Sequence, residues 1–466
     1  MNCSKKSTLS DKNSVHLVGI GGIGMSGIAQ ILLARGVKVS GSDLKQTALT
    51  KKLQDLGGKI FIGHDFRHLQ DADILIYSSA VKSDNPELIR ARAKGIPLIT
   101  RAEGLAQLAN QKKSIAVTGA HGKTTTASLI AHTLLSCGLK PTVCVGGELF
   151  NIDGNVFLGD SDYFVLEADE SDGSFLNFTP FYSVVTNIDR EHLDYYRDLD
   201  HIVESFTRFM QNTKPGGTVF YSADDPLLVK LQSCLKSRTL SYGLKPEAEI
   251  FAQDIELHSR YSRFRCVYRK QDLGQLDLSI PGQHNIINAL AALAIGLEVG
   301  LDFCALSQAL SLYSGVRRRL ELKLKRNDIL VFEDYAHHPT EIKATLASLQ
   351  SFKPKRLFAV FQPHRYTRTK FLIDDFGRCF SGADRLIVTD IYAASEPPIE
   401  GVTARNICQK AQEAKVKEVL FLPRKDILAH LLAEVQSGDL VAILGAGDIG
   451  SVTDALVREL KIRSIR

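Results

Sequence analysis

No two of the eight cysteines, at positions 3, 137, 144, 234, 266, 304, 379 and 408, stand in a C-x-x-C pair. Neither a disulfide framework nor a zinc site is therefore supported, and the cysteines read as reduced, mostly buried thiols of a cytosolic protein. Charge of one sign is also missing. Fifty-seven Lys+Arg against 52 Asp+Glu leave a net +5, too weak a bias to argue for a nucleic-acid partner. The longest apolar stretch, around residues 289–297, is broken by Glu298, well short of the roughly 20 residues that cross a bilayer. The first fourteen residues are polar and hold no apolar signal segment, so no membrane partner is expected. Repeats and low-complexity tracts are absent as well.

What remains is ordinary globular composition, 44 % hydrophobic and 23 % charged, over 466 residues. At roughly 150 residues per domain this suggests about three domains. An apolar run at 15–20, a glycine-rich turn, a helical pattern at 25–34 and a second apolar run at 37–40 form a βαβ unit. Further strands are expected at 59–62, 74–77 and 97–99, with a helix at 86–93 and a polar linker at 110–113. A second segment opens with a strand at 114–118 and a helix at 124–136, continues through strands near 163–167 and 183–186, and adds antiparallel strands at 250–257, 263–268 and 274–279. Helix 285–299 follows. After Arg317-Arg318-Arg319, strands at 329–332, 357–361, 386–389, 419–422 and 440–444 alternate with helices. Such alternation predicts parallel sheets with ligands at strand carboxyl ends. The expected division is 1–112, 113–315 and 316–466.

Gly119-Ala120-His121-Gly122-Lys123-Thr124-Thr125 follows a strand and opens a helix. Backbone N–H groups of such a loop can surround phosphate oxygens, Lys123 supplies a mobile cation, and Thr124 can place its hydroxyl on a phosphate-bound Mg²⁺. The spacing is two residues shorter than the usual phosphate loop. Gly19-Ile20-Gly21-Gly22-Ile23-Gly24 also joins a strand to a helix, with Asp43 nineteen residues on. That pattern fits an NAD fingerprint with Asp43 on a ribose, and a UDP diphosphate equally well, with a purely structural tight turn as the less favoured reading. Gly445-Ala446-Gly447-Asp448-Ile449-Gly450 leaves only sixteen residues after it, too few for the strand that would carry a ribose-binding acid. It reads as a close strand–helix turn.

Glu167-Ala168-Asp169-Glu170-Ser171-Asp172 and Asn187-Ile188-Asp189-Arg190-Glu191-His192-Leu193-Asp194 each end a strand. Any single one of these carboxylates would ordinarily be solvated. Two such clusters after a phosphate loop favour Mg²⁺ between nucleotide and substrate oxygens. In the last segment, Asp334-Tyr335-Ala336-His337-His338-Pro339-Thr340-Glu341 and Gln362-Pro363-His364-Arg365-Tyr366-Thr367-Arg368 end successive strands. Paired histidines and arginines make a pocket for a carboxylate-bearing ligand, and no third soft ligand supports zinc.

Together these motifs resemble the Mur ligase family, the ATP-dependent amide-forming enzymes of peptidoglycan synthesis, from about residue 15 to 450. The resemblance implies a three-domain α/β fold: a Rossmann-like N-terminal domain, a central P-loop-type ATPase domain with a parallel sheet plus a smaller antiparallel sheet, and a Rossmann-like C-terminal domain. It implies that L-alanine is joined to the lactyl carboxylate of UDP-N-acetylmuramate through an acyl phosphate, with ATP consumed and two Mg²⁺ (or Mn²⁺) ions as cofactors. Gly21, Gly22, Ile23, Gly24, Met25 and Ser26 would surround the diphosphate, with Asp43 and Ser79 near the nucleoside. Lys123 would bridge the β- and γ-phosphates within the loop Gly119, Ala120, His121, Gly122, Thr124 and Thr125. Thr124, Glu167 and His192 would hold metal. Asn288, Arg318 and Asp334 would meet the adenosine and phosphate side, and Tyr335, His337, Arg365 and Arg368 the amino acid, with His337 a candidate base. Closure of the three domains would exclude water from the hydrolysable intermediate. The resemblance also implies a cytoplasmic enzyme, a monomer or weak homodimer. Ala120 and Leu320 depart from the family pattern, the first at a position where relatives carry a hydroxyl and the second where an aromatic is common. The alternatives are a relative that attaches whole peptides to the same sugar acid, a nicotinamide oxidoreductase built on Gly19–Gly24 and Asp43, and a GTPase-like switch. The oxidoreductase leaves the Lys123 loop without a role, and no Asn-Lys-x-Asp guanine-reading sequence is present.

Overall fold

Three sheets follow the three expected segments in chain order in a computed structural model that describes residues 9–152 and 154–462. Cys3 and the polar residues 1–8 lie outside the described residues. The first sheet is parallel, in the order β3-β2-β1-β4-β5, from β1 (Ser14–Val18), β2 (Lys38–Asp43), β3 (Lys59–Ile62), β4 (Ile74–Tyr77) and β5 (Leu98–Thr100). Helices α1 (Ile23–Ala34), α2 (Ala48–Asp55), α3 (Pro86–Ala93) and α4 (Arg101–Ala109) connect them. Helix α1 is buried all along from Met25 to Leu32, which is why its sequence is apolar on every side rather than striped. Asn85 caps α3 by accepting from Glu87 and Leu88 N–H, with Pro86 in the first turn.

In the second segment β6 (Lys113–Thr118) leads into α5 (Lys123–Ser136), followed by β7 (Thr142–Leu149), β8 (Gly154–Phe157), β9 (Tyr163–Glu167), β10 (Tyr182–Val185), α6 (Leu199–Gln211), β11 (Thr218–Ser222), α7 (Pro226–Leu231) and β12 (Arg238–Gly243). The order is β12-β11-β10-β6-β9-β7-β8, parallel except for the antiparallel β8. Strands β13 (Ile250–Leu257), β14 (Ser262–Tyr268) and β15 (Gln271–Leu278) form the expected antiparallel run. Helices α8 (Gln283–Glu298) and α9 (Phe303–Ser311) close the segment. The expected linker at 110–113 is short and pinned: Lys112 donates to the Ser161 carbonyl at 2.7 Å, and β6 begins at Lys113.

The third sheet runs β16-β17-β21-β18-β19-β20, from β16 (Glu321–Arg326), β17 (Ile329–Asp334), β18 (Arg356–Phe361), β19 (Arg385–Val388), β20 (Glu418–Phe421) and β21 (Asp439–Leu444). All are parallel except β16, a charged edge strand antiparallel to β17 that the alternation rule did not anticipate. Helices α10 (Pro339–Gln350), α11 (Tyr366–Phe371), α12 (Ile373–Cys379), α13 (Ala404–Glu413), α14 (Arg424–Glu434) and α15 (Gly450–Ile462) complete it. Period-two burial sorts the strands onto two cores. Leu357, Ala359 and Phe361 meet Ile342, Phe376 and Ile407 on one face, while Phe358 and Val360 meet Ile427, Leu431 and Leu456 on the other. Each such side chain contributes roughly 1.5–3 kcal/mol by leaving water.

The chain divides into two compact units: residues up to 188 with 202–242 and 291–306, and residues 189–201, 243–290 and 307 onward. Seven cysteines fall among the described residues and all are free thiols. Burial pushes Cys144 and Cys266 up to about 12, so neither ionises readily. No helix of the described residues is long and apolar enough to cross a membrane.

Candidate active site

In the first unit the loop after β1 sits at the N-terminus of α1, with Gly19 at φ +80° and Gly22 as the N-cap. Met25 and Ser26 are buried, so of the expected diphosphate residues it is the backbone of 21–24 that faces outward. Asp43 Oδ2 accepts from Gly21 N at 2.8 Å, so its carboxylate holds the loop. Ser79 lines a cavity of about 300 Å³ with Thr100, Arg101, Glu103, Asp172 and Ser174. Arg101 was not among the expected residues. A Cβ on Gly24 would come within 2.6 Å of its guanidinium, which therefore covers the glycine turn directly. Only the fold brings a residue 77 positions away to that helix end.

The loop after β6 is fixed by Asn187 at the end of β10. Ala120 N donates to the Asn187 carbonyl (3.1 Å), and His121 N to the Asn187 Oδ1 (2.8 Å). Gly119 at φ +135° leaves no room for a side chain, since a Cβ there would lie 2.0 Å from Thr186 Oγ1. Gly122, left-handed at φ +80°, caps α5, whose first-turn N–H groups at Lys123, Thr124 and Thr125 open toward an anion. Lys123 Nζ reaches Gly119 O (2.6 Å), Ala120 O (3.2 Å) and Glu170 Oε1 (2.7 Å). Glu170 lies within the acidic run 167–172, where nothing in the sequence distinguishes it from its neighbours. Thr124 Oγ1 donates to Glu167, 3.0 and 3.1 Å from its two oxygens, and Glu167 also accepts from Gly146 N at 2.9 Å. A Cβ on Gly146 would lie 2.8 Å from that carboxylate, so the glycine makes the cradle. Convergent hydroxyl and carboxylate oxygens are the hard donors that suit Mg²⁺.

In the second unit the segments after β17 and β18 meet residues 189–194. His337 Nδ1 donates to the Tyr335 carbonyl at 3.0 Å and lies 3.4 Å from Glu341 Oε2, while its Nε2 lies 3.6 Å from Glu191 Oε1. Arg368 Nη2 donates to Glu191 at 2.8 Å, and its Nη1 to His364 Nδ1 at 3.1 Å. Burial, with the nearby His337, Arg368 and Arg365, holds His364 down at about 3, so it stays a neutral acceptor for Arg368. Arg365 pairs with Asp194 at 2.9 Å, and the backbone of both Arg365 (φ +71°) and His192 (φ +55°) is left-handed. His192 Nε2 lies 3.8 Å from Glu191 Oε2. Glu191 and His364 are thus members of this cluster that the residue pattern alone did not single out.

The guanidinium groups of Arg318 and Arg319 both lie over the Tyr335 ring, 5.1 and 5.0 Å from its centroid. Arg318 also pairs with Glu333 at 2.9 Å and donates to the Gly445 carbonyl at 2.8 Å. Asp334 is buried and accepts from Leu320 N (2.9 Å), Ala336 N (2.8 Å) and Thr345 Oγ1 (3.1 Å), so its carboxylate is spent inside the chain. Burial pushes Asp334 upward despite these donors and the nearby Arg319. Asn288 is buried on α8 beside Asn285. Gly447 packs on Gln362, whose Oε1 a Cβ there would approach to 2.4 Å, and Gln362 accepts from Ile449 N, which makes residues 445–450 the close strand–helix turn expected.

Comparison with known proteins places these sites in a family. The description "Mur ligase family, catalytic domain" matches residues 14–113, "Mur ligase middle domain" 117–296, and "Mur ligase, glutamate ligase domain" 318–447. The UDP-N-acetylmuramate–L-alanine ligase of Desulfosudis oleivorans is 48 % identical over 437 residues, 93 % of this chain and 96 % of that one. The ligase of the same name from Syntrophus aciditrophicus is 46 % identical over 448 residues, 96 % of this chain and 93 % of that one. Among solved structures, the UDP-N-acetylmuramate–alanine ligase of Thermotoga maritima superposes with a TM-score of 0.81 at 30 % identity, covering 96 % of this chain and 99 % of that one. The matches run from the first sheet to the last, and the chain belongs to the Mur ligase family of ATP-dependent amide-forming enzymes.

Proposed function

We propose that this protein joins L-alanine to the lactyl carboxylate of UDP-N-acetylmuramate, with ATP cleaved to ADP and phosphate. The observation that carries the reading is the pairing of two anion-binding helix ends, after β1 and after β6, with a separate His/Arg cluster after β17 and β18. The names of the relatives support the substrates. We assign the UDP moiety to the backbone of Gly21, Gly22, Ile23 and Gly24, supported from behind by Met25, Ser26 and Asp43, with Ser79 at the cavity wall. ATP is assigned to residues 119–125, with Asn288 on its adenine side, Arg318 on its phosphate side, and Asp334, held by Leu320, Ala336 and Thr345, supporting the ribose side from behind. The segments 1–112, 113–315 and 316–466 are the working domains in this assignment, in a cytoplasmic monomer or weak homodimer.

A carboxylate is a poor electrophile, so the lactyl oxygen attacks the γ-phosphorus and ADP leaves. Lys123, exchanging Glu170 for phosphate, neutralises charge on the transferring group. Thr124, Glu167 and His192 would hold two Mg²⁺ ions, or Mn²⁺, which screen phosphate charge when bound. The alanine amine then attacks the acyl carbon, phosphate departs and an amide remains. His337 Nε2 takes the amine proton, its tautomer fixed by the Tyr335 carbonyl. Arg365 and Arg368 receive the alanine carboxylate, releasing Asp194 and Glu191.

The test is ADP release by the purified protein. Release that needs UDP-N-acetylmuramate and L-alanine together, and that Lys123→Ala abolishes, is the expected result. Turnover with a preformed peptide but not with L-alanine would replace the substrate assignment. A change in NADH absorbance would overturn the reaction class.

A further inference from the structure

Beneath the first glycine loop lies a buried polar cluster that the reaction does not use. Glu87, on α3, is wholly buried. Its Oε2 accepts from His16 Nε2 at 2.9 Å and from Ser42 Oγ at 2.7 Å, and its Oε1 accepts from Asp65 N at 3.1 Å and His68 Nδ1 at 3.3 Å. His64 Nδ1 lies 3.0 Å from Ser42 Oγ and 3.5 Å from Glu87 Oε1. The Ser42 hydroxyl has one proton, given to Glu87, so toward His64 it accepts. His16 Nδ1 is 2.8 Å from Ser40 Oγ. A carboxylate in the interior is expensive unless its oxygens are met, and here four donors from three chain segments meet them. Against the upward push of burial, hydrogen bonds from His16 and Ser42 leave Glu87 below its ordinary value.

Ser42 connects this cluster to the loop. Its carbonyl accepts from Gly19 N at 2.8 Å and Ile20 N at 3.0 Å, and the next residue, Asp43, accepts from Gly21 N at 2.8 Å. Three consecutive loop N–H groups therefore hang from the end of β2, which is paired to β1 and β3 through its backbone and tied to Glu87 through the Ser42 hydroxyl. Apolar packing alone, as between Leu88 and Ala91 of the same helix and Val18 of β1, would hold α3 to the sheet without fixing a direction.

We infer that Glu87 is a positioning residue for the sugar-nucleotide loop, acting through Ser42 to aim the N-terminal N–H groups of α1. This rests on the assignment of residues 19–26 to the UDP moiety. Glu87→Gln keeps the shape but turns one acceptor oxygen into a donor facing other donors.

The experiment measures the three KM values, kcat and UDP binding by calorimetry for wild type, Glu87→Gln, Ser42→Ala and the double variant, with circular dichroism to show that each is folded. Glu87→Gln and Ser42→Ala should each raise the KM for UDP-N-acetylmuramate and the Kd for UDP by about fivefold or more, with kcat and the KM for ATP and L-alanine within about twofold. The double variant should be no worse than Glu87→Gln, because both cut one link. Unchanged UDP affinity in folded Glu87→Gln, a parallel rise in all three KM values, or additive effects would each overturn the inference. If Glu87→Gln does not fold, Ser42→Ala decides alone: unchanged UDP affinity overturns the inference. Wild-type protein that fails to bind UDP at all would instead remove the loop assignment underneath it.

Discussion

Arg368 keeps only 9 % of its side chain exposed and divides its guanidinium between Glu191 and His364. A planar fork can do this and then rotate onto a substrate carboxylate; a lysine ammonium cannot satisfy both directions. Arg368→Lys should therefore raise the KM for L-alanine about tenfold to a hundredfold, the worth of a charged hydrogen bond, while the KM for ATP moves less than about twofold. An effect on ATP alone would show the pocket to serve the nucleotide. His364 makes a second prediction. In the unfolded chain its imidazole titrates near 6.5, whereas in the folded protein it does so at about 3. Between those values the unfolded state binds the extra proton, so stability is lost as pH falls through that window. His364→Gln should lose less stability than wild type between pH 7 and pH 4.5, read as the shift in urea midpoint. An equal shift in both proteins would mean that His364 is charged in the fold. Arg368 was legible as one of an arginine pair. His364, Glu191, Glu170 and Arg101 were not singled out, because a titratable or charged side chain in a polar run carries no mark of what it will face.

At the scale of elements, the two glycine loops after β1 and β6 were read correctly as strand–glycine turn–helix, because a strand ending in a short turn before a helix leaves few backbone solutions. The structure adds why the glycines are needed. Gly119 at φ +135° abuts Thr186, so Gly119→Ala should lower the melting temperature and raise the KM for ATP at least tenfold, with strain of order 1–3 kcal/mol plus the displacement of Thr186. A variant with wild-type ATP kinetics would show the loop to be more plastic than this packing allows. The Ala120 departure is consistent with the geometry: the loop is held at that position by its N–H on the Asn187 carbonyl, which needs no hydroxyl. Leu320 likewise contributes its N–H to Asp334. Strands β7, β8, β11, β12 and β16 were not anticipated. Edge and short strands such as β16, with its alternating Glu, Leu and Lys, lack the continuous apolar run that marks a strand buried on both faces.

At the scale of the whole molecule, ligand binding and stability are linked. UDP at about a hundred times its Kd should stabilise the folded chain by about 2.7 kcal/mol and raise the melting temperature, and NAD⁺ at the same concentration should not. A shift with NAD⁺ would revive the dinucleotide reading of the first loop. By itself the sequence determined the three α/β segments, the two strand–glycine turn–helix loops and the family, since each is written in local periodicity and in glycines at fixed spacing. Tertiary structure alone decided which charges meet. Asp43 is spent on Gly21 and Asp334 on Leu320 and Ala336, while Lys123 rests on Glu170 and Arg368 on Glu191. Local pattern fixes where a strand ends, but the partner of a side chain there comes from another segment, brought close by the fold rather than by distance along the chain.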